Sequence, residues 1–273
     1  MAKKKRAPKK AGARKASAKA NVPARHTSAV SAAGPEDLRS LIATLKDKEK
    51  PNQDRYDALQ ALGAAHFASP DFPSVQGDYI AALREVSSDP DAELRQRALG
   101  ILSREKDGFA QKKLLEGLKH PDSAMVPPEK ALQLLGSDIH ADAYPLAREI
   151  VRNPPNPAAR REALRLLASD ASSARTFEKI LLDKNELPEI RQIGAAALHI
   201  LNPKKLQEHA RKILLDPHER ADMQQVSLTA LTTFGKSDLG KDSQLIGRVN
   251  RMSTSGPAGV KKSARRFLGK FNS

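Results

Sequence analysis

A six-residue pattern, Ala-Leu-x-x-x-Leu in its fullest form, recurs seven times along this chain, and no other feature limits its fold so tightly. The Ala falls at Ala58, Ala98, Ala131, Ala163, Ala197, Ala230 and Ala264, at intervals of 40, 33, 32, 34, 33 and 34 residues. The next position carries Leu59, Leu99, Leu132, Leu164, Leu198, Leu231 and finally Arg265, and the position four past the Ala carries Leu62, Leu102, Leu135, Leu167, Leu201, Phe234 and Leu268. A period of this length marks supersecondary units that cannot bury an apolar face alone and do so by stacking on their neighbours. Length therefore says little about domain number, because a row of small shared cores replaces one large one.

Each unit pairs this Ala/Leu helix with a preceding amphipathic one. The first helices read LRSLIATL from Leu38, YIAALREV from Tyr79, FAQKKLLEGL from Phe109, YPLAREIV from Tyr144, TFEKILL from Thr176, LQEHARKILL from Leu206 and QLIGRVNRM from Gln244. Apolar residues recur in them at three- and four-residue spacing. The turn inside most hairpins carries proline (Pro51, Pro90, Pro121, Pro154 with Pro155 and Pro157, Pro217, Pro257), with Asp89, Asp91, Asn153 and Asp216 beside them as expected caps. Proline stops the first helix and suits the opening turn of the second. The fifth unit turns through Asp183-Lys184-Asn185-Glu186 instead, with Pro188 in the next helix. Aromatic residues make up 4% of the chain, Trp is absent, and the Ala- and Leu-rich apolar share favours helices over sheet. The sequence thus predicts an all-α chain of about seven helical hairpins over 34–273, with units near 35–66, 72–105, 107–136, 138–169, 171–201, 203–235 and 240–271. Ahead of them, the Lys/Arg-rich segment 1–33 has too little apolar residue content to repay ordering and is expected to be disordered.

These residues resemble HEAT repeats. DPDAELRQRALGIL from Asp89 has the Asp/Pro turn, the aliphatic-Arg pair Leu94-Arg95, then Ala98 and Leu102; IRQIGAAALHIL from Ile190 is a second close match, and AARREALRLL from Ala158 and VKKSARRFL from Val260 are looser ones. The resemblance covers roughly 35–271 and implies a right-handed α-α superhelix. It also implies that an Arg ties the turn to neighbouring repeats, a role open to Arg55, Arg95, Arg160 and Arg191. The chain departs from the pattern at the 40-residue first interval, at Pro127-Pro128 and Gln224 in place of the Arg, and in units five and six, which fit equally well when shifted by one helical turn.

Charge is unevenly spread within the net +15. Residues 1–26 hold ten Lys/Arg and no acid, and residues 240–273 hold eight against Asp242 alone, while 27–239 balance 29 basic against 31 acidic residues. A Lys-rich arm can neutralise phosphates through Lys3, Lys4, Lys5, Arg6, Lys9, Lys10, Arg14 and Lys15, giving salt-sensitive, sequence-independent binding to DNA or RNA. The same charge would serve as a solubilising or localising tail, or meet acidic protein or anionic lipid. In the last helix Lys261, Lys262, Arg265, Arg266 and Lys270 surround an apolar stripe of Val260, Ala264, Phe267, Leu268 and Phe271. That face is both a polar cap for a repeat array and a second expected polyanion contact. No Cys, no long apolar run and no secretory h-region point to the cytoplasm.

No motif for catalysis stands out. Among His26, His66, His120, His140, His199, His209 and His218 no two share a helix-face spacing suited to a metal. The HEAT-like deoxyhypusine hydroxylases bind a di-iron centre through several His-Glu pairs, whereas here only His218-Glu219 and the reversed Glu208-His209 occur. HEAT-like alkylpurine glycosylases surround damaged bases with aromatics including Trp; here Phe109, Phe177, Phe234 and Phe267 read as core residues. No motif supports a bilin lyase. No catalytic, cofactor or metal residue is therefore assigned and no cofactor expected. The expectation is a monomeric, non-enzymatic scaffold whose concave face binds a protein partner through Arg97, Lys130, Arg161, Arg165 and Gln225, with the basic tail tethering it to nucleic acid. The alternatives are direct nucleic-acid binding by the tail and last helix, and a HEAT-like enzyme.

Overall fold

Helix starts are written into the sequence as caps. Asp91 accepts a hydrogen bond from the Leu94 amide (2.8 Å), Asn156 from Ala159 (2.7 Å), Asn202 from Lys205 (3.1 Å) and Asp242 from Leu245 (3.0 Å), and Asp107 accepts from the Phe109 and Ala110 amides (both 3.1 Å). Pro35, Pro128, Pro157, Pro188 and Pro203 each open a helix, where a missing N–H costs nothing. Asn153, expected as a cap for the helix after it, instead ends the helix before it; Asn156 does the capping, since it is the residue next to Pro157.

The computed structural model describes residues 34–137 and 141–271, so the expectations for the tail, His26 and His140 lie outside the described residues. Among those residues there are fourteen α-helices and no strand. They are α1 Pro35–Lys46, α2 Asn52–Ala68, α3 Gln76–Val86, α4 Ala92–Arg104, α5 Gly108–Lys119, α6 Pro128–Leu135 and α7 Tyr144–Arg152. There follow α8 Pro157–Leu167, α9 Ala174–Leu182, α10 Pro188–Leu201, α11 Pro203–Leu215, α12 Ala221–Phe234, α13 Ser243–Ser255 and α14 Ala258–Phe271. No described helix is long and apolar enough to cross a membrane. The fold is a HEAT-like succession of helical hairpins, divided into two compact units, one ending at Tyr79 and the other running from Ile80. In the first, α1 packs on α2 through Leu38, Ile42, Leu45, Leu59 and Leu62. In the second, hairpins α5/α6, α7/α8, α9/α10, α11/α12 and α13/α14 form in turn, and the second helices α4, α6, α8, α10, α12 and α14 each pack on the next.

Arginines lock the turns. Arg55 Nε donates to Leu45 O (3.1 Å) and Arg191 Nε to Leu181 O (2.9 Å), ten residues back in both cases. Arg95 donates to the carbonyls of Asp89 and Pro90 in its own turn and to Met125 O (3.1 Å) in the next hairpin. Arg160 meets both oxygens of Glu186 (3.0 and 2.5 Å), and Arg191 both oxygens of Glu219 (2.9 and 2.7 Å). The HEAT-type tie expected of these four thus forms, and from Arg95, Arg160 and Arg191 it reaches residues of the following unit.

That Arg also fixes the register. Three residues past Arg55, Arg95 and Arg160 stands the small residue of the pattern, Ala58, Ala98 or Ala163; three past Arg191 stands Gly194, not Ala197. Three past Gln224, whose Nε2 donates to Glu219 O (2.9 Å) in the Arg position, stands Ser227, not Ala230. Units five and six therefore take the shifted alternative, and the small position reads Ala58, Ala98, Ala131, Ala163, Gly194, Ser227, Ala264. Four residues on, Leu62, Leu102, Leu135, Leu167, Leu198, Leu231 and Leu268 now occur in every unit. Phe234, read from the sequence as core, is 41% exposed, because Leu231 fills that layer.

The third unit, like the sixth, has no Arg at the position of the tie. Pro127-Pro128 delays α6, which has only 8 residues. Asn156 Nδ2 donates to Glu129 Oε2 (3.0 Å) as a lighter tie, and a cavity of about 570 Å³ opens among Met125, Val126, Pro127, Pro128 and Ile150.

Candidate nucleic-acid interface

α14 presents the largest group of uncompensated cations among the described residues. Its apolar stripe is set by helical spacing: Val260, Ala264 and Phe267 are buried against α12 and α13, with Leu268 and Phe271 packed beside them. Lys262, Arg265 and Arg266 consequently face solvent, with the half-buried Lys261 on one flank and the exposed Lys270 on the other. Lys270 has a structural task, since its Nζ donates to Thr232 O (2.6 Å) and lies 5.0 Å from the Phe271 ring centre. Lys261, Lys262, Arg265 and Arg266 meet no carboxylate among the described residues.

The only acid of the segment 240–273 is already neutralised. Asp242 caps α13 and takes hydrogen bonds from Arg211 Nε (2.5 Å) and Nη2 (3.3 Å). The Arg211 guanidinium, followed by the Leu245 amide, holds its carboxyl below the usual range against the upward push of burial. Arg211 belongs to a second series of ties, between successive first helices, that sequence reading missed: Arg84 of α3 meets Asp107 (2.6 Å) and Arg148 of α7 meets Asp170. Burial pushes the Asp107 and Asp170 carboxyls up, but hydrogen bonds from Arg84 and two amides on the one, and from Ser173, Ser172 and Arg148 on the other, bring both below their ordinary values. Each of the three acids stands one to four residues before a first helix, a signal readable as a cap but not as a partner for an Arg one unit back.

The residues expected to contact a partner are distributed along the second helices. Arg97 pairs with Glu93 (2.7 Å), Lys130 donates to Gln133 (3.1 Å) and Arg165 pairs with Glu162, while Arg161 is half-buried without an ion pair. Gln225 is exposed on α12, and its Oε1 stands over Gly259, where a Cβ would displace it. These residues lie on four second helices, α4, α6, α8 and α12.

Among the described residues no group of three or more His, Asp or Glu is placed to hold a metal ion. Glu219 is committed to Arg191, Glu208 pairs with Lys205 (2.7 Å), and the buried His209 places Nε2 2.9 Å from Glu178 Oε2.

No family model matches the chain, and no curated protein matches it. Among solved structures it is similar to human deoxyhypusine hydroxylase in complex with glycerol, at 14% identity over 90% of this chain and 98% of that one, with a TM-score of 0.37. A likeness of that size carries neither the activity nor the active-site residues of that protein over to this chain. It does correct the expectation of a non-enzymatic scaffold: the protein it resembles is an enzyme, so helical hairpins of this kind are no ground for setting enzymes aside, and the scaffold reading is withdrawn.

Proposed function

We propose that the protein is a sequence-nonspecific binder of nucleic acid, engaging phosphates through α14 and the basic segment 1–26. The observation that carries this reading is the face of Lys262, Arg265 and Arg266, exposed and without a carboxylate partner, in a segment whose single acid is neutralised by Arg211. A cap needs polarity but not one sign of charge, and the earlier second helices do mix signs, as in Arg97 with Glu93 and Arg165 with Glu162. Uncompensated cations bind phosphate by releasing counterions, which gives affinity without base readout. A cytoplasmic setting belongs to the same reading, since a chain without Cys makes no use of an oxidising compartment.

The test is anisotropy of a labelled duplex against the full-length protein over a salt series. Replacing Lys262, Arg265 and Arg266 together by Ser should reduce the slope of log K against log salt by about 0.9 for each phosphate no longer neutralised. An unchanged slope and affinity would remove α14 from the interface.

A further inference from the structure

We infer that the interface continues from α14 across the exposed side of α12 and α10 to α8, as a track for the backbone of double-stranded nucleic acid; this rests on the reading just proposed. The corrected register brings out the pattern. Two residues before and two after the small position, α8 carries Arg161 and Arg165, α10 Gln192 and Ala196, α12 Gln225 and Thr229, and α14 Lys262 and Arg266. These helices pack consecutively, and all eight residues are exposed except Arg161, which is half-buried. None of the eight is acidic, although Glu162, Glu189 and Asp222 occur on the same helices. The run stops at α6, where Glu129 takes the equivalent place.

Cations therefore stand at both ends of a neutral stretch of amides, a hydroxyl and a methyl group. Between them lies a hollow of about 380 Å³ lined by Gln192, Asp222, Gln225, Val226 and Thr229, with the Asp222 carboxylate held by Arg220 (3.3 Å). Gln and Thr side chains donate to phosphate oxygens and position a backbone without reading bases. Arg165 is tied only to Glu162 within its own exposed turn, a pairing worth little that a phosphate can displace. With neighbouring helices about 8–10 Å apart, three steps span roughly seven to nine base pairs at about 3.4 Å each. No aromatic side chain occupies the eight positions, so the stacking platform that single strands use is missing, and the nearby Phe234 is itself stacked on His199 with ring centres 3.7 Å apart. A stiff duplex fits this surface better than a single strand.

The experiment uses the full chain, a labelled duplex and the corresponding single strand over the same salt series. Arg161→Ser with Arg165→Ser should flatten the duplex salt slope by about 1–2. Gln192→Glu with Gln225→Glu should weaken binding at least tenfold, and Gln192→Lys with Gln225→Lys should strengthen it, a gain that misfolding cannot produce. If these α8, α10 and α12 variants all bind like the parent while the α14 variant is impaired, the track is wrong and the α14 reading stands. If the α14 variant also binds like the parent, both fail. Equal affinity for the single strand overturns the choice of duplex.

Discussion

Arg191 and Glu219 form a deeply buried ion pair, with side chains 0% and 3% exposed. Burial pushes the Glu219 carboxyl up, but the two-pronged bond from Arg191 and the Arg220 amide bring it below the ordinary 4.5. Removing one member strands the other, so Arg191→Met should cost about 3–5 kcal/mol in denaturant unfolding, whereas Arg191→Met combined with Glu219→Leu should recover most of it. A loss below about 1 kcal/mol in the single variant would mean that the pair does not tie the fifth unit to the sixth. The Arg positions were legible in the sequence, because an aliphatic-Arg pair after a turn is a local signal. Their acceptors were not: Glu186, Glu219 and the Met125 carbonyl come from the following unit, and spacing alone does not say which of several nearby acids meets the guanidinium.

The register of α10 and α12 gives sharper tests. Leu231 is fully buried and Phe234 is 41% exposed, so Leu231→Ala should cost about 2–5 kcal/mol and Phe234→Ser much less. The reverse order would restore the unshifted repeat. At Gly194 a Cβ would stand 3.2 Å from both Ile180 Cγ2 and Phe177 O, so Gly194→Leu should overpack α9 against α10 and lower stability by about 1–3 kcal/mol, read from the melting temperature. The hairpin succession was readable because apolar spacing and turn prolines repeat in every unit. The phase within units five and six was not, because Ala197 and Ala230 are themselves buried and the helices are apolar on adjacent faces. The cationic face of α14 followed from the sequence directly, whereas Gln192 and Thr229 acquire meaning only once Gly194 and Ser227 are aligned with Ala163 and Ala264.

For the whole molecule, acid response follows from the ties. Asp107, Asp170, Glu186, Asp216, Glu219 and Asp242 all have carboxyls held below their ordinary values. A depressed folded-state pKa adds stability that is complete above the unfolded value and disappears as pH falls through the folded one. The melting temperature should therefore lose this contribution only below about pH 4.5 for Glu219 and below about 3.8 for the aspartates. Asp242→Asn should be less stable at neutral pH and flatter in acid; an equal pH response in both proteins would remove Arg211 and Asp242 from the account. The seam between the third and fourth hairpins bears on a different property. An array held by identical clasps opens wherever chance strikes, but one with a clasp missing has a preferred tear line. At Pro127-Pro128, where Asn156 and Glu129 replace the guanidinium tie and a void already separates the turns, amide exchange and protease nicking should begin before the neighbouring turns yield.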